Sequence, residues 1–151
     1  MVRIELRTTR VVAGKAIKGT LVVTNPGGPI NLTQVEHPPG HVHTSVHCEP
    51  GFQVYLSNGS IKDSAGFTAS CSSQPFIIAS GTNRLPFSVF TRYTSCAPPN
   101  GTVVLPNTPP CLGNEGMPNL PPGMYKAVIE WSEVVPLPTP RPVDVTLVGA
   151  S

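Results

Sequence analysis

The chain has 151 residues, of which only 12% are charged, and a formal net charge of +2. That length suits a single domain, 1–151, with room for a real hydrophobic core. The weak charge excludes the electrostatic footprint of a nucleic-acid binder, and no apolar run approaches the ~18 residues of a membrane-spanning helix. Five of the ten Lys and Arg (Arg3, Arg7, Arg10, Lys15 and Lys18) fall in the first 18 residues, scattered among Val, Ile and Leu. Such spacing suits the outer face of strands better than a contiguous basic arm. The 19 prolines and 14 glycines put proline at more than twice its usual share of ~5%. They argue against helix and for many short strands joined by proline-rich turns.

In chain order, Val2, Ile4 and Leu6 alternate with Arg3, Glu5 and Arg7, the period of a half-buried strand. Ala13-Gly14-Lys15 turns the chain into a second strand, Ile17–Asn25, and Asn25-Pro-Gly-Gly-Pro29 supplies turn chemistry before a short third strand, 30–35. An irregular segment, 36–50, carries all four histidines. Phe52, Val54 and Leu56 then point inward from a strand over 51–57, closed by Asn58-Gly59. Pro75–Ala79 and Arg84–Tyr93 flank a turn at 80–83, with Leu85, Phe87, Val89 and Tyr93 as the core set of the later strand. Pro86 lacks an N–H, which assigns it to a sheet edge or to the first residues of a strand.

Residues 94–118 are the second irregular segment; six prolines follow Cys96 before the Pro121-Pro122 corner. A loop of this length needs either a function or a covalent tie. The four cysteines (Cys48, Cys71, Cys96 and Cys111) are even in number and widely spaced, without a Cys-x-x-Cys pair. They favour disulfides, and hence an extracellular or cell-envelope setting, over an intracellular protein with four reduced thiols. Three connectivities satisfy the count. Sequential pairing is preferred, because a Cys96–Cys111 bridge closing about 15 residues would contribute ~3 kcal/mol. No signal peptide precedes the alternation that starts at Met1, so the expectation is a longer native chain with its own signal or anchor.

In Leu120–Trp131, Tyr125, Ala127, Ile129 and Trp131 face the core while Met124, Lys126, Val128 and Glu130 are mostly wet. This alternation makes Tyr125 and Trp131 core residues rather than a sugar-stacking platform. Pro136, Pro138, Pro140 and Pro142 then recur with period two. In an extended chain this strips donors from one side and blunts an edge, and the alternative is a ligand for a proline-recognising domain. Val143, Val145 and Leu147 form the last strand.

Three of these stretches carry a resemblance: Gly19-Thr-Leu-Val-Val-Thr-Asn-Pro26, Phe76-Ile-Ile-Ala-Ser-Gly-Thr with Leu85-Pro-Phe-Ser-Val89, and Leu120-Pro-Pro-Gly-Met-Tyr125. Together they resemble bacterial immunoglobulin-like domains, similar in outline to the BsuPI proteinase-inhibitor type and to envelope domains of actinobacteria. The likeness covers most of the chain outside 36–50 and 94–118. It implies an all-β, immunoglobulin-like antiparallel β-sandwich of about seven to nine strands with long proline-rich loops, and places Tyr125 at a tyrosine corner. No cysteine falls on the early or penultimate strand, so the inter-sheet bridge of antibody domains is missing.

Chemistry is concentrated in His37, His41, His43 and His47, all at odd positions. In an extended segment the last three would share one face, and His41 with His43 could hold Zn²⁺ or Cu²⁺ together with His47 or His37. The bland alternative is exposed loop histidines with no ligand. No serine-hydrolase elbow, zincin motif, phosphate-binding loop or dinucleotide fingerprint is present. Sequons at Asn31, Asn58 and Asn100 are about as many as chance provides. The sequence therefore leads to a non-catalytic binding or structural module, with an unidentified protein or envelope partner at 36–50 or 94–118 and no cofactor. Metal binding by the histidines and proteinase inhibition through a loop are the competing readings.

Overall fold

The computed structural model describes residues 1–31, 51–59, 61, 77–97, 108–113, 116–131 and 137–149, with the backbone alone at 47–49 and 70–72. These residues are all-β, with no helix among them. One sheet joins β1 (Val2–Leu6), β3 (Ile17–Asn25) and β9 (Gly81–Val89) in the order β1-β3-β9. A second joins β2 (Arg10–Val12), β6 (Phe52–Ser57), β10 (Gly123–Trp131) and β11 (Val143–Val148) in the order β2-β11-β10-β6. Two small ladders pair β4 (Ile30–Asn31) with β8 (Ile77–Ile78) and β5 (His47–Glu49) with β7 (Ser70–Ser72).

Strand alternation decides what is buried. Val2, Ile4, Ile17, Leu21, Val23 and Val89 from the first sheet form one core with Phe52, Val54, Leu56, Tyr125, Ala127, Val145 and Leu147 from the second. Two sheets sharing one apolar layer is the arrangement of a β-sandwich. Phe52 links the two sheets. Its ring stands edge-on to Phe87 at 6.1 Å and tilts against Trp131 at 5.7 Å. Gly19 leaves space for Phe87, since a Cβ there would meet the phenyl ring and would lie 2.7 Å from the Glu5 carbonyl oxygen.

Several details depart from the sequence-based expectation. Eleven strands are found among the described residues, and seven of them make the two larger sheets. The first apolar stretch divides in two because the chain crosses between sheets at Arg7–Thr9, where the Thr8 hydroxyl holds the Arg10 amide and carbonyl. The sheets are not purely antiparallel, because β2 then runs parallel to β11. β9 also begins and ends earlier than the predicted Arg84–Tyr93. At its start, the Asn83 side chain bonds both the amide and the carbonyl of Ala79 and closes the turn there.

Hydrogen-bond parity explains how Pro86 sits within a strand. The Thr24 amide bonds the Met1 carbonyl and the Arg7 amide bonds the Lys18 carbonyl, so even residues of β3 face β1 and odd ones face β9. Pro86, opposite Thr20, therefore has its nitrogen on the outer edge of β9 and removes no bond from the β3 ladder. The proline run before β11 behaves differently from expectation. Residues 137–142 form no strand, so no ladder is blunted there, and Pro140 is buried. Asn25 is also buried. Its Nδ2 donates to the carbonyls of Gly28, Ile78 and Ala79, and its Oδ1 accepts from the Gly27 amide, tying the end of β3 to β8.

Candidate binding surface

After Val89 the chain leaves the first sheet, runs outward to Ala97, returns from Thr108 and enters β10. The two runs hold each other as an arm. The Tyr93 amide bonds the Pro118 carbonyl, the Leu120 amide bonds the Thr91 carbonyl, and Arg92 and Asn119 form an antiparallel bridge. Further out, Ala97 receives the Cys111 amide on its carbonyl and gives its own amide to Pro109. Cys96 and Cys111 close the arm as a disulfide, with their Cα atoms 4.8 Å apart. Residues 98–107 lie outside the described part of the chain.

Thr91 anchors the base of this arm. The residue is 1% exposed, and its hydroxyl accepts the Gly14 amide at 2.7 Å while donating to the Lys15 carbonyl at 2.8 Å. Gly14 has φ +98°, a value disfavoured for other residues, and a Cβ there would meet the Asn119 amide group. Asn119 itself donates to the Ala13 carbonyl at 3.3 Å. One hydroxyl and one amide thus fasten the arm to the turn between β2 and β3. Replacing Thr91 by valine keeps the shape but strands both backbone groups, so unfolding free energy should fall by about 1–3 kcal/mol. Thr91→Ser should keep most of it. Urea midpoints of the two variants check this.

The other side of the arm base is the corner before β10. Tyr125 is 2% exposed and its hydroxyl donates to the Pro121 carbonyl at 2.7 Å. Burial, and secondarily Tyr93, raise the pKa of its phenol above the ordinary value. A raised value in the folded state means the unfolded chain releases this proton first. The stabilisation is complete below about pH 10 and is lost as pH climbs past it. Stability followed by urea unfolding from about pH 8 to about pH 11 should therefore fall more steeply for the wild type than for Tyr125→Phe. Parallel curves would remove Tyr125 as the cause.

Between these anchors the arm leaves large apolar side chains in water: Phe90 is 62% exposed, Leu112 52% and Met117 37%. Nothing in the sequence pattern distinguished Phe90 from its neighbours, and Thr91 and Asn119 carried no signal because each is one polar residue with a purely tertiary role. Tyr125 and the Cys96–Cys111 pair, all singled out from sequence, lie at the base and the outer part of the arm respectively. The metal reading falls elsewhere. His37, His41 and His43 lie outside the described residues, as does the side chain of His47. Cys48 and Cys71 are backbone register partners across β5 and β7. Among the described residues no cluster of His, Cys, Asp or Glu could hold a metal ion, and no helix is long and apolar enough to cross a membrane. No protein-family model, curated protein or solved structure matches the chain.

Proposed function

We propose that the chain is an immunoglobulin-like β-sandwich serving as a non-catalytic binding module, displayed outside the cell or on its envelope, with the disulfide-tied arm as its contact surface. Three features support the immunoglobulin-like reading. The strand orders β1-β3-β9 and β2-β11-β10-β6 split seven strands between two facing sheets. The first strand passes from one sheet to the other, and the Tyr125 hydroxyl reaches back four residues to Pro121 as a tyrosine corner does. The Cys96–Cys111 bond supports an oxidising compartment, and the facing positions of Cys48 and Cys71 support a second bridge there.

One observation carries the functional reading: the described residues of the arm are tied down by a disulfide and paired backbones yet leave apolar side chains on the surface. A disulfide, paired backbones and buried Thr91 fix it, while Phe90, Leu112 and Met117 remain in water. Side chains held in place before contact lose less entropy on binding, and exposed apolar side chains gain from burial. The expected partner is a protein with a complementary apolar pocket. The test is cross-linked capture from an envelope extract of the source organism, comparing the wild type with a Phe90→Ser, Leu112→Ser, Met117→Ser variant of matched circular dichroism. A protein held by the wild type and released by the variant is the expected result. Equal capture by both, or none by the wild type, would overturn the reading.

A further inference from the structure

The outer face of the β1-β3-β9 sheet carries a cluster of charged side chains. Its side chains lie in rows across the strands. Arg3, Val22 and Arg84 form one row, Glu5, Thr20 and Pro86 the next, and Arg7, Lys18 and Ser88 the third. Four cations therefore share this face with one carboxylate. Glu5 is already engaged, 2.9 Å from Arg3 and 3.3 Å from Arg84. The Arg3 hydrogen bond, reinforced by the charges of Arg3 and Arg84, holds the Glu5 carboxyl below its ordinary value and keeps it ionised.

Arg7 and Lys18 are left opposite each other. The Arg7 amide bonds the Lys18 carbonyl at 2.9 Å, which makes them a directly facing cross-strand pair of like charge. Both are exposed, and the ion pairs among the described residues involve neither. Like charges facing each other on a sheet are destabilising. Beside them runs an open groove of about 530 Å³, lined by Glu5, Arg7, Lys18, Thr20, Pro86 and Ser88, among others. Its floor is the backbone row of Leu6, Gly19 and Phe87, where the Leu6 and Phe87 side chains pack inward against the core.

We propose that Arg7 and Lys18 bind a phosphate- or sulfate-type oxyanion in this groove, with the Ser88 hydroxyl as a third donor. Arg7 offers a planar fork and Lys18 a point charge, a pairing suited to a tetrahedral anion shared between them. Ser88 lies one strand further along the same row, so donors extend over roughly 10 Å, two strand spacings. That span fits an anion borne on a larger molecule as well as a free ion. Glu5, one row along the same edge of the sheet from Arg7, has its charge countered by Arg3 and Arg84 and disfavours a second anion in its own row.

The test is thermal unfolding at low ionic strength in sodium phosphate, compared with sodium chloride of the same ionic strength. Phosphate should raise the Tm of the wild type above that in chloride. Arg7→Gln with Lys18→Gln should unfold at the same temperature or higher in chloride, because the repulsion is gone, and should lose the response to phosphate. Arg10→Gln with Lys15→Gln changes the net charge equally and should keep the response. If the first double variant does not fold, the single substitutions serve, each weakening phosphate binding roughly ten-fold. Dextran sulfate separates the sources: much tighter binding that still depends on Arg7 and Lys18 assigns a polymer-borne anion, and weaker binding assigns the free ion. Equal Tm in phosphate and chloride, or loss of the response in the Arg10 and Lys15 variant as well, would overturn the proposal.

Discussion

Replacing Phe52 by alanine should lower the unfolding free energy by about 3–5 kcal/mol, the largest effect expected of any single truncation in this chain. Phe52 is 2% exposed and is one of the core residues that both sheets share. From β6 it touches Phe87 of β9 in one sheet and Trp131 of β10 in its own. Removing the ring takes away its own burial and the edge contact that fixes Phe87, and Phe87 in turn covers the gap left by Gly19. Strands on both sides resist collapse into the hole, so the cavity term should persist. Phe52→Leu, which keeps most of the volume, should lose much less. Urea unfolding of both variants, with m held constant, measures the difference. A loss below about 1 kcal/mol for alanine would mean that the sheets do not share this core.

Breaking the arm's disulfide is the second large effect. Cys96 and Cys111 are 15 residues apart, and for a loop of that length the chain-entropy account gives ~3 kcal/mol. In Cys96→Ser with Cys111→Ser, the base of the arm should survive, because Thr91 and Asn119 fasten it independently of the sulfurs. The outer half should not. The amides of Ala97 and Cys111 find their carbonyl partners, Pro109 and Ala97, within the bridged segment, and their protection against hydrogen exchange should fall well before that of Leu120. A uniform loss across the arm would place its anchor at the disulfide alone, and unchanged protection would make the bond ornamental.

The contrast between these two sites shows what was legible in the sequence. The Phe52, Val54, Leu56 face and the Tyr125, Ala127 face follow from a period of two, which backbone pleating imposes on any half-buried strand. Tyr125 and the Cys96–Cys111 tie were visible as well, one through a corner motif and the other through the need to close a long loop. Three features were not. β2 is three residues long, too short for alternation to register, and its parallel partner lies more than 130 positions away. Trp131 faces the core as expected, but its partial exposure at the last position of β10 left no mark in the alternation. Thr91 and Asn25 are polar residues whose burial depends on carbonyls and amides brought to them by other parts of the chain. Local pattern holds no trace of such partners. For the same reason Arg7 and Lys18 read from sequence as scattered surface charge, and only the β1–β3 register sets them face to face.

An oxidised Cys96–Cys111 pair ties the arm, and both its role as a contact surface and the oxidising setting depend on that bond. The most direct test is to alkylate the protein as isolated from its source, without reduction, and map its cysteine peptides by mass. A peptide joining Cys96 to Cys111, with neither sulfur alkylated, is the predicted result, accompanied by a second peptide joining Cys48 to Cys71. Alkylated Cys96 and Cys111 would contradict it, leaving the arm untied and the chain in a reducing compartment.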